Sequence, residues 1–238
     1  MSRAVSKNPK IKSGLARRSR NVNLILLSIV LLLMIVTAGV IINGINSRAA
    51  RNLVRAYSLE AAEKFYAFLS QNLTLVQKAA RSRAITNWFA DEGNEEKKAE
   101  AVIEMKDFAE VLEGVHMYFG VHESLNEYVV DGGMLSADIV PYDRLNPSRD
   151  SDSWYYECTG SKNAYTLNID NEKSTNTWWQ WINHKVIYDG KLVGVFCSGL
   201  MIPDIFGEIF AEYQEHKVRG YIIDRHGIIQ SASTDFDI

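Results

Sequence analysis

The tract from residue 154 to 183 gathers the side chains best suited to hold a small molecule: Trp154, Tyr155, Tyr165 and Trp181, with Asn168, Asp170 and Asn183 among them. Pockets for small ligands are mostly apolar with a few placed polar groups, and this mixture has that character. The same aromatics serve equally well as core residues. Asp170 has two readings: a partner for a cationic or hydroxyl-bearing ligand, or a turn cap in Asp170-Asn171-Glu172. Read as a strand, Thr177 to Tyr188 puts Trp179, Trp181 and Asn183 on one face and Trp178, Ile182 and Val186 on the other, because strand side chains alternate. One of these faces can pack against helices while the other lines a cavity.

Catalytic and metal chemistry find less support. The five histidines, His116, His122, His184, His216 and His226, include no pair at the spacing of zinc ligands on a helix. Asp150-Ser151-Asp152 begins like a calcium loop but lacks the glycine and closing glutamate such a loop needs. Gly194 to Gly199 does not fit G-x-S-x-G, and neither a P-loop nor a dinucleotide fingerprint occurs. No catalytic residue, metal or cofactor is expected, and the chain is not read as an enzyme. Cys158 and Cys197 have no redox or zinc spacing. A disulfide between them is permitted outside the cytoplasm, and two buried thiols are the favoured reading.

The elements that position these residues begin in a membrane. Seven basic residues and no acids occupy positions 1–20, and the remaining 19 basic and 29 acidic residues leave the body at a net charge of −10. So acidic a body repels a phosphate backbone and argues against a nucleic-acid partner. From Val22 to Ile42 the chain is almost wholly apolar, with no charge between Arg20 and Arg48. As a helix this stretch covers ~31 Å at ~1.5 Å per residue, enough for a lipid bilayer. Flanking Lys and Arg stay in the cytoplasm, so everything after about Ser47 is expected outside the cytoplasmic membrane. A cleaved signal peptide has a shorter apolar core, ~7–15 residues, and a small-residue cleavage site that this stretch lacks.

Beyond the span, Ser47 to Ala90 holds neither Gly nor Pro, and Leu53, Tyr57, Ala61, Phe65, Phe68, Val76 and Ala79 recur at helical spacing. One long helix is expected, its stripe sufficient to serve a sheet and a partner copy, so a homodimer follows. Asp91 to Asn94 break it; a second helix starts at Glu95 and stops at Gly114. Strands are expected from Val115 to Val121 and Leu125 to Val130, then an Asp- and Pro-containing loop from Ser136 to Ser153 that is disordered or binds ligand. Further strands run from Tyr165 to Ile169, Thr177 to Tyr188 and Lys191 to Ser198, the last two joined by a type I′ turn at Asp189-Gly190. A helix from Pro203 to Gln214 precedes a second hairpin, Tyr221 to Ile223 and Ile228 to Gln230, which looks like the start of a further sheet cut short at Ile238.

Asp152-Ser153-Trp154-Tyr155-Tyr156, the run Tyr165 to Asp170 leading into Trp181 to Val186, and Asp189-Gly190-Lys191-Leu192-Val193-Gly194-Val195 resemble the double Cache sensor of bacterial transmembrane receptors. The resemblance covers most of residues 45–238. It implies an α+β fold of two PAS-like lobes on a long helix, with a small ligand in the membrane-distal lobe and an output of histidine kinase, chemotaxis transducer or diguanylate cyclase type. The corresponding division is a basic cytoplasmic tail (1–20), a transmembrane helix (21–44), signalling and second helices (45–114), the distal lobe (115–215) and the beginning of a proximal lobe (216–238). Amino-acid sensors of this family carry an Arg two residues before the Trp-Tyr pair and a later Asp for the amine; here Asp152 and Gly199 stand near those places. Arg149 is the nearest guanidinium and joins the ligand-binding candidates. These departures point away from a standard amino acid. The rival from another class is a membrane-anchored extracytoplasmic hydrolase or carbohydrate-binding protein.

Overall fold

Helix α1 runs from Pro9 to Ala80 without interruption. The computed structural model describes residues 9–111, 116–130, 139–172, 177–210, 219–223 and 226–233. The expected helix stop at Gly114, the start of the loop at Ser136, the end of the helix near Gln214 and residues 224–225 within the second hairpin lie outside these residues. Contacts divide the chain into residues 1–60 and 61–238.

In the first unit, α1 carries exposed leucines, isoleucines and valines from Val22 to Ile45. By length and composition the helix is able to cross a membrane. Its two hydroxyls within this stretch turn back onto the helix: Ser28 Oγ donates to the Leu24 carbonyl (2.8 Å) and Thr37 Oγ1 to that of Leu33 (2.7 Å). Neither hydroxyl proton then needs water, as an apolar surrounding requires.

The second unit is α+β. Helices α2 (Arg83–Ala90) and α3 (Glu95–Val111) follow the end of α1, and then come β1 (Met117–Val121), β2 (Asn126–Val130) and the short β3 (Asp143–Arg144). A 3-10 turn (Asp150–Asp152) leads into α4 (Ser153–Gly160), and β4 (Tyr165–Glu172), β5 (Thr177–Tyr188), β6 (Lys191–Met201) and α5 (Ile202–Phe210) complete the main body. Six strands form one antiparallel sheet in the order β3-β2-β1-β6-β5-β4. The remaining pair, β7 (Tyr221–Ile223) and β8 (Ile229–Ala232), forms a sheet of its own.

The helix expected to continue from Ser47 to Ala90 is instead broken at Arg81-Ser82. Ser82 is the reason: its Oγ accepts from the Ile85 N–H at 3.3 Å and donates to Glu104 on α3, starting a new helix in a new direction. Asn94 does the same for α3, its Oδ1 accepting from the N–H groups of Glu96 and Lys97 at 3.2 Å each. One face of the sheet is sealed by Val76 and Ala79 of α1, Ile85, Trp88 and Phe89 of α2, Val102 and Met105 of α3 and Ile205 and Phe206 of α5. They meet Met117, Phe119, Tyr128, Ile182, Val186 and Phe196, and Phe119 stacks on Tyr128 with centroids 5.3 Å apart.

The β5–β6 hairpin turns where expected, with Asp189 and Gly190 at φ of 47° and 76°, the positive values of a type I′ turn. Strand β4 extends to Glu172 and pairs Asp170 with Trp179, so the backbone of Asp170 stands within the ladder. Helix α4 was not foreseen, since Trp and Tyr beside Ser, Cys and Thr have weak helix propensity. Replacing Ser82 with Ala should cost ~0.5–2 kcal/mol of stability in denaturant titration, and Ser82→Gly should cost less. Equal stability of Ser82→Ala and the parent would contradict the capping role.

Candidate functional site

The sheet face turned away from the helical core is set by the alternate residues of the same strands. On β6, Val195 and Cys197 lie between the core residues of the other face, and on β1 Tyr118 lies between Met117 and Phe119. This face is covered by residues 142–160. The Tyr142 N–H donates to the Glu127 carbonyl at 2.7 Å and the Leu145 N–H to the Leu125 carbonyl at 2.8 Å, which draws the segment alongside β2. Gly120 lets it close: a Cβ there would lie 2.6 Å from Leu145 Cδ1 and 2.8 Å from the Tyr155 ring.

Between sheet and segment is a cavity of about 230 Å³. Its floor is Tyr118 on β1, Glu127 on β2, Asn168 and Asp170 on β4, Trp181 on β5 and Cys197 on β6. Tyr142, Asp143, Ser151, Asp152 and Trp154 form its roof. Trp181 lies against Trp179 with centroids 5.5 Å apart and meets Tyr118 edge-on at 5.3 Å. Opposite it on β6 is Gly199, where any Cβ would overlap the Trp181 ring. The expected position of an amine-binding carboxylate is therefore filled by indole.

Of the residues singled out in the sequence, the fold brings Trp154, Asn168, Asp170 and Trp181 onto the cavity wall. Asn183 is buried just behind it and donates from Nδ2 to Asn168 Oδ1 at 2.8 Å, fixing that amide. Tyr155 fills the space over Gly120 and its hydroxyl meets His122 Nδ1 at 2.9 Å. Tyr165 is an odd number of residues from Asn168, so alternation turns it to the other face, where it stacks on His184 at 6.4 Å. Grouping it with Asn168 ignored that parity.

Arg149 is turned into the covering segment. It reaches Asp143 Oδ2 at 2.6 Å and Asp152 Oδ2 at 2.7 Å, and donates to the Arg144 carbonyl. Asp152, buried, also accepts from the Asn146 N–H at 2.8 Å and from Ser151 Oγ at 2.8 Å. The Arg144 N–H and the Arg149 guanidinium hold the Asp143 carboxyl below its ordinary range, and Asp143 in turn raises that of Arg149. The guanidinium thus braces two wall carboxylates and is occupied by them. Cys158 and Cys197 are both free and buried, as favoured, and burial pushes the Cys197 thiol well up.

Tyr118, Glu127 and Cys197 went unrecognised, although their parity opposite Phe119, Tyr128 and Phe196 was a usable signal. Asp143 and Asp152 carried no signal, because the segment's closure places them.

No protein-family model matches this chain. No curated protein matches it either. Solved structures do. The sensory domain of the Campylobacter jejuni chemoreceptor Tlp3 (CcmL), with isoleucine bound, is similar over 75% of this chain and 68% of its own, at 14% identity and a TM-score of 0.55. The sensor domain of the V. cholerae histidine kinase DctB is similar over 78% and 67%, at 12% identity and a TM-score of 0.58. The chain shares its fold with these sensory domains. The ligand-binding domain of the Pseudomonas aeruginosa PAO1 chemoreceptor PctC, in complex with GABA, shares it over 75% and 73%, at 17% identity and a TM-score of 0.52.

Replacing Arg149 with Met should accelerate hydrogen exchange at the Asn146 amide, whose acceptor Asp152 then loses its brace. Arg149→Lys should not restore protection, since an ammonium cannot span both carboxylates as the guanidinium fork does. Parent-like protection in both variants would contradict the bracing role.

Proposed function

We propose that this chain is the extracytoplasmic small-molecule sensing region of a bacterial transmembrane signal-transduction receptor. The observation that carries this reading is the cavity between the outer sheet face and residues 142–154, walled by residues of all six strands and by Trp154. Its volume is below the ~300–1,000 Å³ typical of pockets for drug-sized ligands, so it suits a smaller metabolite. The fold likeness to sensory domains, whose structures include complexes with isoleucine and GABA, supports the same role.

The domain order follows. Residues 1–20 form a basic cytoplasmic tail and 21–44 a single span of the cytoplasmic membrane, with the N-terminus inside. Residues 45–114 carry the signal, 115–215 form the membrane-distal lobe that binds ligand, and 216–238 belong to a membrane-proximal lobe. The chain itself performs no catalysis. A ligand that binds one arrangement of cavity and helix better than another shifts the population toward it, and α1 passes that shift across the bilayer to a histidine kinase or diguanylate cyclase type of output. Two copies pair through the part of the Leu53 to Ala79 stripe that the sheet leaves uncovered, around Leu53 and Tyr57, since Val76 and Ala79 are buried in the core.

The solubilised chain should melt at a higher temperature with a cognate metabolite, by the equivalent of ~2.7 kcal/mol at a concentration a hundred times Kd. Trp181→Ala, Gly199→Ala and Asp170→Ala should each abolish the rise while leaving the far-ultraviolet spectrum intact. A rise that survives in all three variants would place the ligand elsewhere.

A further inference from the structure

Taking the cavity as the sensing site, we propose that its ligand is an uncharged polyhydroxylated ring, a monosaccharide or a cyclic polyol, that accepts hydrogen bonds from the floor and donates them to the roof. The inference deepens the sensing role and depends on it.

The floor holds donors that have no acceptor. Trp181 is 8% exposed, and its Nε1–H donates to no group among the described residues. A Cβ at Gly199 would lie against Cζ3, Cε3 and Cη2 of this indole, so the benzene edge sits over Gly199 and Nε1 is on the edge away from it. Asn168 is the cross-strand partner of Trp181 and shares its face of the sheet. Asn183 Nδ2 donates to Asn168 Oδ1 at 2.8 Å, which orients the Asn168 amide. Its oxygen is engaged, and its Nδ2 is left to the cavity, again with no acceptor among the described residues. Two neighbouring neutral N–H donors are thus available to a ligand oxygen, and closing the cavity over them without one is costly.

The roof offers the opposite function. Asp143 Oδ1 accepts from the Arg144 N–H at 2.7 Å and Oδ2 from Arg149 Nη1 at 2.6 Å. An ionised carboxylate has about four lone-pair sites, so each oxygen keeps room for one more donor. That capacity coexists with the Arg149 ion pair and needs no free charge.

Each simple charged ligand fails against one side. A carboxylate finds no lysine or arginine on the wall among the described residues, because Arg149 is held by Asp143 and Asp152, and it brings no proton to Asp143. An ammonium only donates, and leaves Trp181 Nε1 and Asn168 Nδ2 unmet. A hydroxyl does both. An amide also does both, but at one end only, whereas hydroxyls spaced around a ring reach floor and roof together. The C–H faces of such a ring pack on the aromatic surfaces of Tyr118 and Trp154.

The test titrates the full chain, reconstituted in lipid nanodiscs so that no sugar-headed detergent competes, with D-glucose, D-galactose, D-ribose and myo-inositol. Comparators are n-butylamine, succinate, L-valine and 2-pyrrolidinone, and the readouts are calorimetric heat and melting temperature. At least one of the four polyols should bind saturably, which separates binding from the general stabilisation that concentrated sugars give. Its affinity should not change with ionic strength, since the ligand carries no charge. Asn168→Asp, an isosteric change that replaces the donor with an acceptor, and Trp181→Phe, which keeps a ring without the N–H, should each weaken it by ~10-fold or more. Binding by none of the four polyols, or parent-like polyol affinity in either variant, overturns the inference. A comparator that binds and is lost in Trp181→Phe, with the polyols silent, overturns it while leaving the sensing role standing; silence across a broad metabolite screen removes both.

Discussion

Alternation along β5 and β6 is the constraint on which everything else in the second unit depends. Because neighbouring residues point to opposite faces, Ile182, Val186 and Phe196 are committed to the helical core while Trp181 and Cys197 are committed to the other side. Slipping β5 by one residue would bring Trp181 into the space of Ile182 and take it off the cavity wall. The two positive φ angles at Asp189 and Gly190 pin the hairpin register. Both the core and the candidate site are therefore consequences of one turn and one periodicity.

The two faces are built differently. On the core face, the end of α1, α2, α3 and α5 exclude water with aromatic and aliphatic side chains, and at its margin Glu92 Oε1 accepts from the Tyr128 hydroxyl at 2.6 Å and from Asn126 Nδ2 at 2.9 Å. On the other face, Gly120 and Gly199 remove side chains so that Tyr155, Leu145 and Trp181 can come close. The covering segment is then held by backbone hydrogen bonds to β2 and by the Arg149 brace. Fewer apolar contacts hold this lid than hold the helices. An element of that kind is suited to respond to a ligand without disturbing the core.

Much of this was legible in the sequence, for a physical reason. Strands, the hairpin and the apolar span depend on local pattern, and β5, its turn and the exposed leucines of α1 follow their patterns closely. Trp154, Asn168, Asp170 and Trp181 could be selected because aromatic and amide side chains cluster in one tract. What could not be read depended on tertiary closure or on a single hydrogen bond. Asp143 and Asp152 reach the cavity only because the segment folds back on β2, and Arg149 turns to them instead of to the cavity. The break at Ser82 has no glycine or proline to announce it and rests on one hydroxyl. Tyr165 was a matter of parity, and counting from Asn168 would have placed it.

The central claim is that the outer sheet face, and not the helical core, receives the ligand. The five tryptophans report on this directly, since Trp88 belongs to the core face while Trp154 and Trp181 line the cavity. Indole N–H resonances of the chain, recorded with and without the small molecule that most raises its melting temperature, separate the two faces. Shifts at Trp154 and Trp181, with Trp88 unmoved, are the predicted result. A shift at Trp88 with Trp154 and Trp181 unmoved would contradict the account.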